Sequence, residues 1–362
     1  MTTVVKIGSS SLTRADGFLD LNRIDEVSRL LARAQKDGED IVLVSSGAIS
    51  AGSQPLGRTE RPKDLATAQA VAAVGQGLLM YRWNQAMAWQ GMNSAQILLS
   101  AAEVVGHEQY NNASRALEKL RALGVIPIIN ENDAVATDEV RFGDNDRLAA
   151  IVSHMVRAER LILCTDVDGL YSAHPRNPQA RFIPEVRDPE DLVGIEVGTA
   201  GSRWGTGGMQ TKLLAAQVAS SNGTEVVLTS TDNLGEALAG ERVGTVFRVT
   251  GKRRGIKQLW LAYAATVQGC LVLDAGAAQA ITVGKKSLLA AGITEVKGDF
   301  RAGDVVELVD VDDEILAKGV SSFSGAEVRQ MISGDSVRRA QTAGAGSAGP
   351  VVHRDNLAET RY

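Results

Sequence analysis

From residue 3 to about residue 245 the chain alternates short β-branched runs with stretches whose apolar residues recur at helical spacing. No other feature narrows the fold as far, because a strand–helix rhythm of this length points to an α/β chain with a mostly parallel sheet and helices on both faces. The first run is Val4, Val5 and Ile7. A helix follows, with Asn22 as its cap, Ile24, Val27, Leu30, Leu31 and Ala34 on one face, and Asp37-Gly38 as its stop. Further strands are expected over 41–44, 95–99, 125–130, 161–165 and 226–229, a small hairpin over 181–186, and a helix over 234–238. The Ala-rich stretch over 63–89 reads as helix broken at Gly75-Gln-Gly77. Its Trp83, Met87 and Trp89 suit a core or a subunit interface better than a ligand. Another helix, capped near Asn112, carries Leu117, Leu120 and Leu123 up to Gly124.

The texture changes after Gly251-Lys-Arg-Arg-Gly255. Leu271-Val-Leu, Ile281-Thr-Val, the run over 305–309 and Ile315-Leu-Ala are short apolar segments separated by Gly and Asp, as in a small β-rich domain. The Ala-Gly-rich tail beyond Ser336 is expected to be loose. This divides the chain into a larger domain over 1–250, a linker over 251–268, a second domain over 269–345 and a tail over 346–362.

In an open parallel sheet, ligands collect beyond the carboxyl ends of the strands, so what each strand delivers there matters most. The first delivers Lys6 and Gly8-Ser9-Ser10-Ser11. A lysine in an apolar strand is costly to bury unpaired, so Lys6 either reaches the surface or faces an anion; its place at the strand mouth favours the anion. The second delivers Ser45-Ser46-Gly47-Ala48-Ile49, either a plain tight turn or a ligand loop rich in small donors. The strand over 125–130 ends in Asn130-Glu131-Asn132-Asp133, and Phe142-Gly-Asp-Asn-Asp146 follows closely. Short amide and carboxylate side chains hold fixed hydrogen-bond geometry, unlike the Glu and Lys of a solvated loop, although Asp144 or Asp146 taken singly could equally be a helix cap. The strand over 161–165 delivers Asp166-Val-Asp168-Gly169-Leu-Tyr171.

The remaining loop is Gly205-Thr-Gly-Gly-Met-Gln-Thr-Lys212, directly ahead of Leu213, Leu214, Ala216, Gln217 and Ser220 at helical spacing. Glycines let backbone N–H groups approach an anion, the helix start adds its positive end, and Lys212 adds a full charge. The stretch lacks the spacing of a P-loop, and an ordinary flexible glycine loop is the alternative. Taken together, the strand ends supply two lysines, two small-residue turns and an Asn/Asp cluster. They supply no nucleophilic cysteine, no Ser/His pair and no zinc set. That inventory suits phosphoryl transfer, in which positioning and charge neutralisation do most of the catalysis.

Val5-Lys6-Ile-Gly-Ser, Val44-Ser-Ser-Gly-Ala-Ile, Ile129-Asn-Glu-Asn-Asp133, Phe142-Gly-Asp-Asn-Asp146-Arg-Leu-Ala, Thr165-Asp-Val-Asp-Gly-Leu-Tyr and the Gly205 to Lys212 loop, in this order, resemble the glutamate 5-kinases of the amino-acid kinase superfamily. The resemblance spans nearly the whole chain and includes a C-terminal domain similar to the PUA domain. It implies a three-layer sandwich with a mostly parallel sheet, a small β-rich PUA-like barrel, and ATP-dependent phosphorylation of the γ-carboxylate of L-glutamate on the way to proline. It also implies residue roles. Lys6 and Lys212 would neutralise the transferring phosphoryl group, and Asp146 would orient them. Ser46, Asn130, Asp133, Asp144 and Asn145 would hold glutamate. Lys6, Thr165, Asp166, Thr206, Gly207, Gly208, Met209, Gln210, Thr211 and Lys212 would hold ATP, with Mg²⁺ carried mainly on its phosphates and no separate protein metal site. Feedback inhibition by proline and a homodimer or homotetramer are further expectations of the family.

Composition trims the alternatives. With 44% apolar and 22% charged residues, and no apolar run approaching the ~18 residues of a membrane span, the chain reads as a globular protein. Its start enters a strand at once, without the pattern of a signal peptide, and Cys164 and Cys270 lie far apart in apolar runs as buried free thiols; a cytoplasmic protein is expected. Kinases for acetylglutamate or aspartate are the nearest rivals. An RNA-binding role is disfavoured, since 269–335 carries six Lys/Arg against eleven Asp/Glu. His353-Arg-Asp-Asn-Leu357 imitates a protein-kinase catalytic loop but has no nucleotide-binding lobe around it, and reads as surface or packing.

Overall fold

The computed structural model describes residues 1–58, 60, 62, 64–100, 107–135, 145–195, 208–251, 261, 267–333 and 349–359. The chain forms two compact units, Met1–Arg253 and Arg254–Tyr362. In the first, the strands in chain order are β1 (Thr2–Ile7), β2 (Asp40–Ser45), β3 (Ser94–Leu99), β4 (Ile126–Glu131), β5 (Arg160–Thr165), β6 (Leu170–Tyr171), β7 (Phe182–Ile183), β8 (Glu185–Val186), β9 (Glu225–Ser230) and β10 (Thr245–Phe247). The helices are α1 (Ser9–Leu12), α2 (Leu21–Lys36), α3 (Ala48–Ser53), α4 (Leu65–Trp89), α5 (His107–Ala122), α6 (Asn145–Met155), α7 (Met209–Ser221) and α8 (Leu234–Leu238).

Among the described residues one sheet runs in the order β3-β4-β2-β1-β5-β9-β10-β8, parallel except where β10 meets β9. The central strand is β1, buried between β2 and β5, which is why its side chains from Thr3 onward are buried and mostly apolar, with Lys6 the one charged exception. Side chains alternate across its faces. Val5 and Ile7 join the core formed with α2, α3, α4 and α8, while α6 and α7 cover the sheet on its other side, the side to which Lys6 points. A sandwich of two helical layers on a mostly parallel sheet results.

Local chemistry explains several departures from the sequence expectations. The cap of α2 is Asp20, whose carboxylate accepts from the Arg23 N–H at 3.1 Å, rather than Asn22. Helix α5 already runs from His107, so Asn112 lies within it and does not cap it. Phe182–Ile183 and Glu185–Val186 do not form a hairpin with each other. Pro184 lacks the N–H such a ladder needs; β7 pairs with β6 and β8 with β10.

Most informative is α4, which runs unbroken through Gly75-Gln-Gly77. Gly75 is not a helix breaker but a close-approach point: an added Cβ would lie 1.8 Å from the Ala48 carbonyl oxygen and 2.4 Å from the Gly52 nitrogen. Trp83 and Met87 are fully buried in the core, and the Trp83 indole N–H donates to Ser45 Oγ at 2.9 Å, whereas Trp89 is 71% exposed. Among the described residues no helix is long and apolar enough to cross a membrane.

The second unit holds β11 (Val267–Leu273), α9 (Ala275–Thr282), β12 (Ile293–Gly298), β13 (Val305–Val309), β14 (Ile315–Ser321), α10 (Gly325–Ile332) and β15 (Val352–Glu359). Its sheet runs β12-β11-β13-β14-β15, antiparallel except between β11 and β13. Ile281-Thr-Val, read as strand, instead ends a helix capped by Asp274, whose carboxylate accepts from the Ala277 N–H at 2.7 Å; the Ala-rich run prefers helix, and Ile281 still reaches the core. Nor is the last stretch loose throughout. Residues 352–359 pair with β14, and Val352 and Leu357 are buried, so the kinase-like His353 to Leu357 string is one strand with Arg354 and Asp355 turned to solvent. Cys164 is buried and Cys270 only half-buried, and both are free thiols.

Gly75→Ala is expected to destabilise the first unit by about 3 kcal/mol, near the upper end for overpacking. Gly77→Ala, with nothing within 4 Å of the added methyl, should be neutral or stabilising by about 0.5–1 kcal/mol. Thermal unfolding of the two variants compares them; equal midpoints would refute the close contact between α3 and α4.

Candidate active site

Because β1, β2, β4 and β5 run parallel, their carboxyl ends lie along one edge of the sheet, and the starts of α6 and α7 arrive there from the covering layer. Beyond β2 the chain turns at Gly47, whose φ of 112° lies in the left-handed region that favours glycine, and this turn leads from Ser46 into α3.

Two polar clusters form at this edge, joined through neighbouring residues of α6. The first is ionic. Asp146 is 1% exposed; its Oδ1 lies 2.6 Å from Lys6 Nζ and its Oδ2 lies 3.3 Å from Lys212 Nζ. The Thr211 hydroxyl lies 2.7 Å from the same Oδ2 and 2.9 Å from the Gly208 carbonyl oxygen. Burial works to raise the pKa of Asp146, but the nearby Lys6 and Lys212 charges and the hydrogen bonds from Lys6 and Thr211 outweigh it and hold the group at about 2. Lys212 is pushed below the ordinary lysine value by burial and by the Lys6 charge, with Asp146 and Asp166 offsetting part of the shift. Two ammonium groups thus share one carboxylate, and the buried triad carries one net positive charge. The Cys164 thiol on the neighbouring strand is pushed up to about 12, chiefly by burial, and is not a nucleophile at neutral pH.

The second cluster is a chain of amides. Asn145 Nδ2 donates to Ser46 Oγ at 3.0 Å and to Asn130 Oδ1 at 2.9 Å. The Glu131 backbone N–H lies 2.9 Å from Asn130 Oδ1 and 3.2 Å from Asn145 Oδ1. Asn130 Nδ2 donates to Gln76 Oε1 at 2.7 Å. Ser46, Asn130 and Asn145 are all buried. Asp133 begins a single helical turn, Asp133–Val135, packed against α4, and is partly buried. At the end of β5, Thr165 donates to exposed Asp166 at 2.9 Å. Gly208 caps α7 and has no side chain to bond the first-turn N–H groups of Met209 to Thr211; the start of a helix is a place that can receive an anion.

Of the residues singled out in the sequence, Lys6, Asp146, Lys212 and Thr211 come together as one group. Ser46, Asn130 and Asn145 form a second; Gly208 accepts from Thr211, Asp166 acts on the Lys212 charge and accepts from Thr165, and Met209 and Gln210 open the helix that carries Thr211 and Lys212. Asp144, Thr206 and Gly207 lie outside the described residues. Sequence reasoning missed Gln76 as part of the site. Its one signal in the sequence is a polar residue flanked by glycines within an apolar stretch, a pattern that by local rules alone marks a helix break.

The arrangement can hold two anions near each other: buried cations and the start of a helix on one side, and neutral hydrogen-bonding amides on the other. The profile of the amino acid kinase family matches residues 1–230, and that of the PUA domain matches residues 269–341. The chain is 49% identical to the glutamate 5-kinase of Streptomyces avermitilis over 98% of its own length and 95% of that protein's. It is 50% identical to that of Frankia casuarinae over 98% and 95%, and 48% identical to that of Thermobifida fusca over 99% and 93%. The chain therefore belongs to the amino acid kinase family, within its glutamate 5-kinase branch, and carries a PUA domain in its second unit.

Proposed function

We propose that the protein transfers the γ-phosphoryl group of ATP to the γ-carboxylate of L-glutamate, giving L-glutamyl 5-phosphate and ADP, the opening step of proline synthesis. The observation that carries this reading is the buried Lys6–Asp146–Lys212 triad with its unbalanced positive charge. Two cations on one carboxylate are incompletely neutralised, and a phosphoryl group completes the charge balance. The attacking oxygen is already ionised at neutral pH, so the reaction needs no general base. Asp146, held near 2 by its two lysines, suits an orienting role and not that of a proton acceptor. As the γ-carboxylate oxygen bonds to Pγ, the bond from Pγ to the bridging β,γ oxygen breaks and ADP departs.

In this reading Lys6 and Lys212 neutralise the three equatorial oxygens as charge spreads over them. Ser46, Asn130, Asn145 and Asp144 hold the acceptor, and Asp133 offers a carboxylate to its ammonium group. Thr165, Asp166 and the segment from Thr206 to Lys212 hold ATP. Both oxygens of Asp146 are engaged by lysines and Thr211, so Mg²⁺ would be carried on the phosphate oxygens of ATP, where it shields their charge. A cytoplasmic homo-oligomer inhibited by proline is the regulatory context that the family resemblance supports; a proline titration of the assay below and light scattering of the pure protein examine it.

The test is an ATP- and glutamate-dependent acyl-phosphate assay with hydroxylamine trapping, run beside N-acetylglutamate and aspartate. Turnover of either rival acid with none of glutamate would overturn the proposal. In that assay Lys212→Ala should lower kcat by about 10²-fold or more, as loss of a transition-state electrostatic partner does. Asp133→Ala should mainly raise the KM for glutamate; wild-type values in either variant would remove that residue from its role.

The alkaline limb of the pH profile offers a further check. Lys212 is active when charged, and its pKa in the free protein lies below the ordinary 10.5, so kcat/KM for ATP should begin to fall below that pH. Bound phosphates raise the pKa of a neighbouring ammonium, so the limb in kcat should lie at higher pH than the limb in kcat/KM. Coincident limbs would count against Lys212 as the titrating group.

A further inference from the structure

We propose that Gln76 is a positioning residue for the acceptor, acting through the side chain of Asn130. The inference rests on the reading of this cluster as the acceptor site. Its fixed point is the Glu131 backbone N–H, a donor that cannot be exchanged for an acceptor. It lies 2.9 Å from Asn130 Oδ1, and Asn145 Nδ2 donates to that same oxygen, also at 2.9 Å. Both lone pairs of Oδ1 are then used. The amide of Asn130 must therefore turn its Nδ2 the other way, and there it meets Gln76 Oε1 at 2.7 Å. The orientation of both amides follows from a backbone group and leaves no free choice of rotamer flip.

Asn130 is 2% exposed, so an Nδ2 deprived of its acceptor would carry the cost of an unsatisfied buried donor. The alternative, a flipped amide, would set its NH₂ against the Glu131 N–H and the Asn145 NH₂. Either outcome disturbs Asn145, whose Nδ2 also serves Ser46. Gln76 thus anchors a relay that runs Gln76, Asn130, Asn145, Ser46 and draws on α4, β4, α6 and the turn after β2.

What brings Gln76 within reach is its neighbour. Gly75 lets the backbone of α4 lie against Ala48 and Gly52 of α3, and α3 follows directly from Ser46-Gly47. The glycine sets the distance between the helix and the Ser46 turn, and the adjacent glutamine uses that distance to reach Asn130. Gly75-Gln76 is one device with two parts.

The test uses Gln76→Met in the full-length protein, a change that keeps length and helix propensity and removes the acceptor. The KM for glutamate should rise about tenfold, the equivalent of one buried hydrogen-bond partner, while the KM for ATP stays within about twofold. In an Asn130→Ala background the same substitution should change the glutamate KM by less than about twofold, because the group through which Gln76 acts is gone. An unchanged glutamate KM, an equal rise in both KM values, or a full tenfold effect persisting in the Asn130→Ala background would overturn the proposal. Should Gln76→Met not fold, Gln76→Ala is read by the same three criteria. If the wild-type protein phosphorylates a different acid, the functional reading fails, and the cycle is then run on that acid and still decides the role of Gln76.

Discussion

One carboxylate holds the candidate active-site edge of this protein together. Asp146 sits 1% exposed at the start of α6 with an ammonium group on each oxygen, one from the first strand and one from the helix at the far end of the domain's sequence. A buried ion pair of this kind is a weak source of stability, since removing three charges from water costs about as much as their attraction returns. Its value lies in geometry. Lys6 and Lys212, 206 positions apart in the chain, are drawn to one point and held there with less than full neutralisation. The remaining positive charge suits an anion with several oxygens, and Lys212 itself lies in the first turn of α7, where helix N–H groups point outward.

The rest of the domain can be understood as support for that point. Strand β1 lies at the middle of the sheet, where both faces are covered, and its alternation sends Val5 and Ile7 to one core and Lys6 to the layer of α6 and α7. On the opposite face, the close contact of α3 and α4 at Gly75 sets where the Ser46 turn and Gln76 stand. The two clusters meet in consecutive residues of α6: Asn145 belongs to the amide chain and Asp146 to the ion cluster. A small movement of the α6 start would therefore act on both clusters together.

Much of this was legible in the sequence. Strand ends announced themselves as β-branched runs closing on Gly, Ser, Asn or Asp, because buried parallel strands demand the first and ligand loops the second. The two lysines stood out because charge inside apolar surroundings needs a reason. Misreadings came where a local rule met a tertiary demand. Gly75-Gln-Gly77 looked like a break since glycine is a poor helix former, yet the loss in propensity is small beside the packing that only a glycine permits there. Ile281-Thr-Val looked like strand because β-branched residues favour strands, but the Ala-rich segment ahead of it and the Asp274 cap carried it into a helix. The strand over Val352–Glu359 was obscured by the Ala-Gly-rich sequence before it.

By itself the sequence determined the α/β alternation, the positions of the strand ends and the kinds of side chain delivered there, because periodicity and turn chemistry are properties of neighbours in the chain. Only the tertiary structure decided which face of β1 carries Lys6, that one carboxylate bridges two distant lysines, and that a glutamine in mid-helix closes the amide chain. Those depend on distances between elements, and such distances are set by how closely backbones can pack, which no local pattern records.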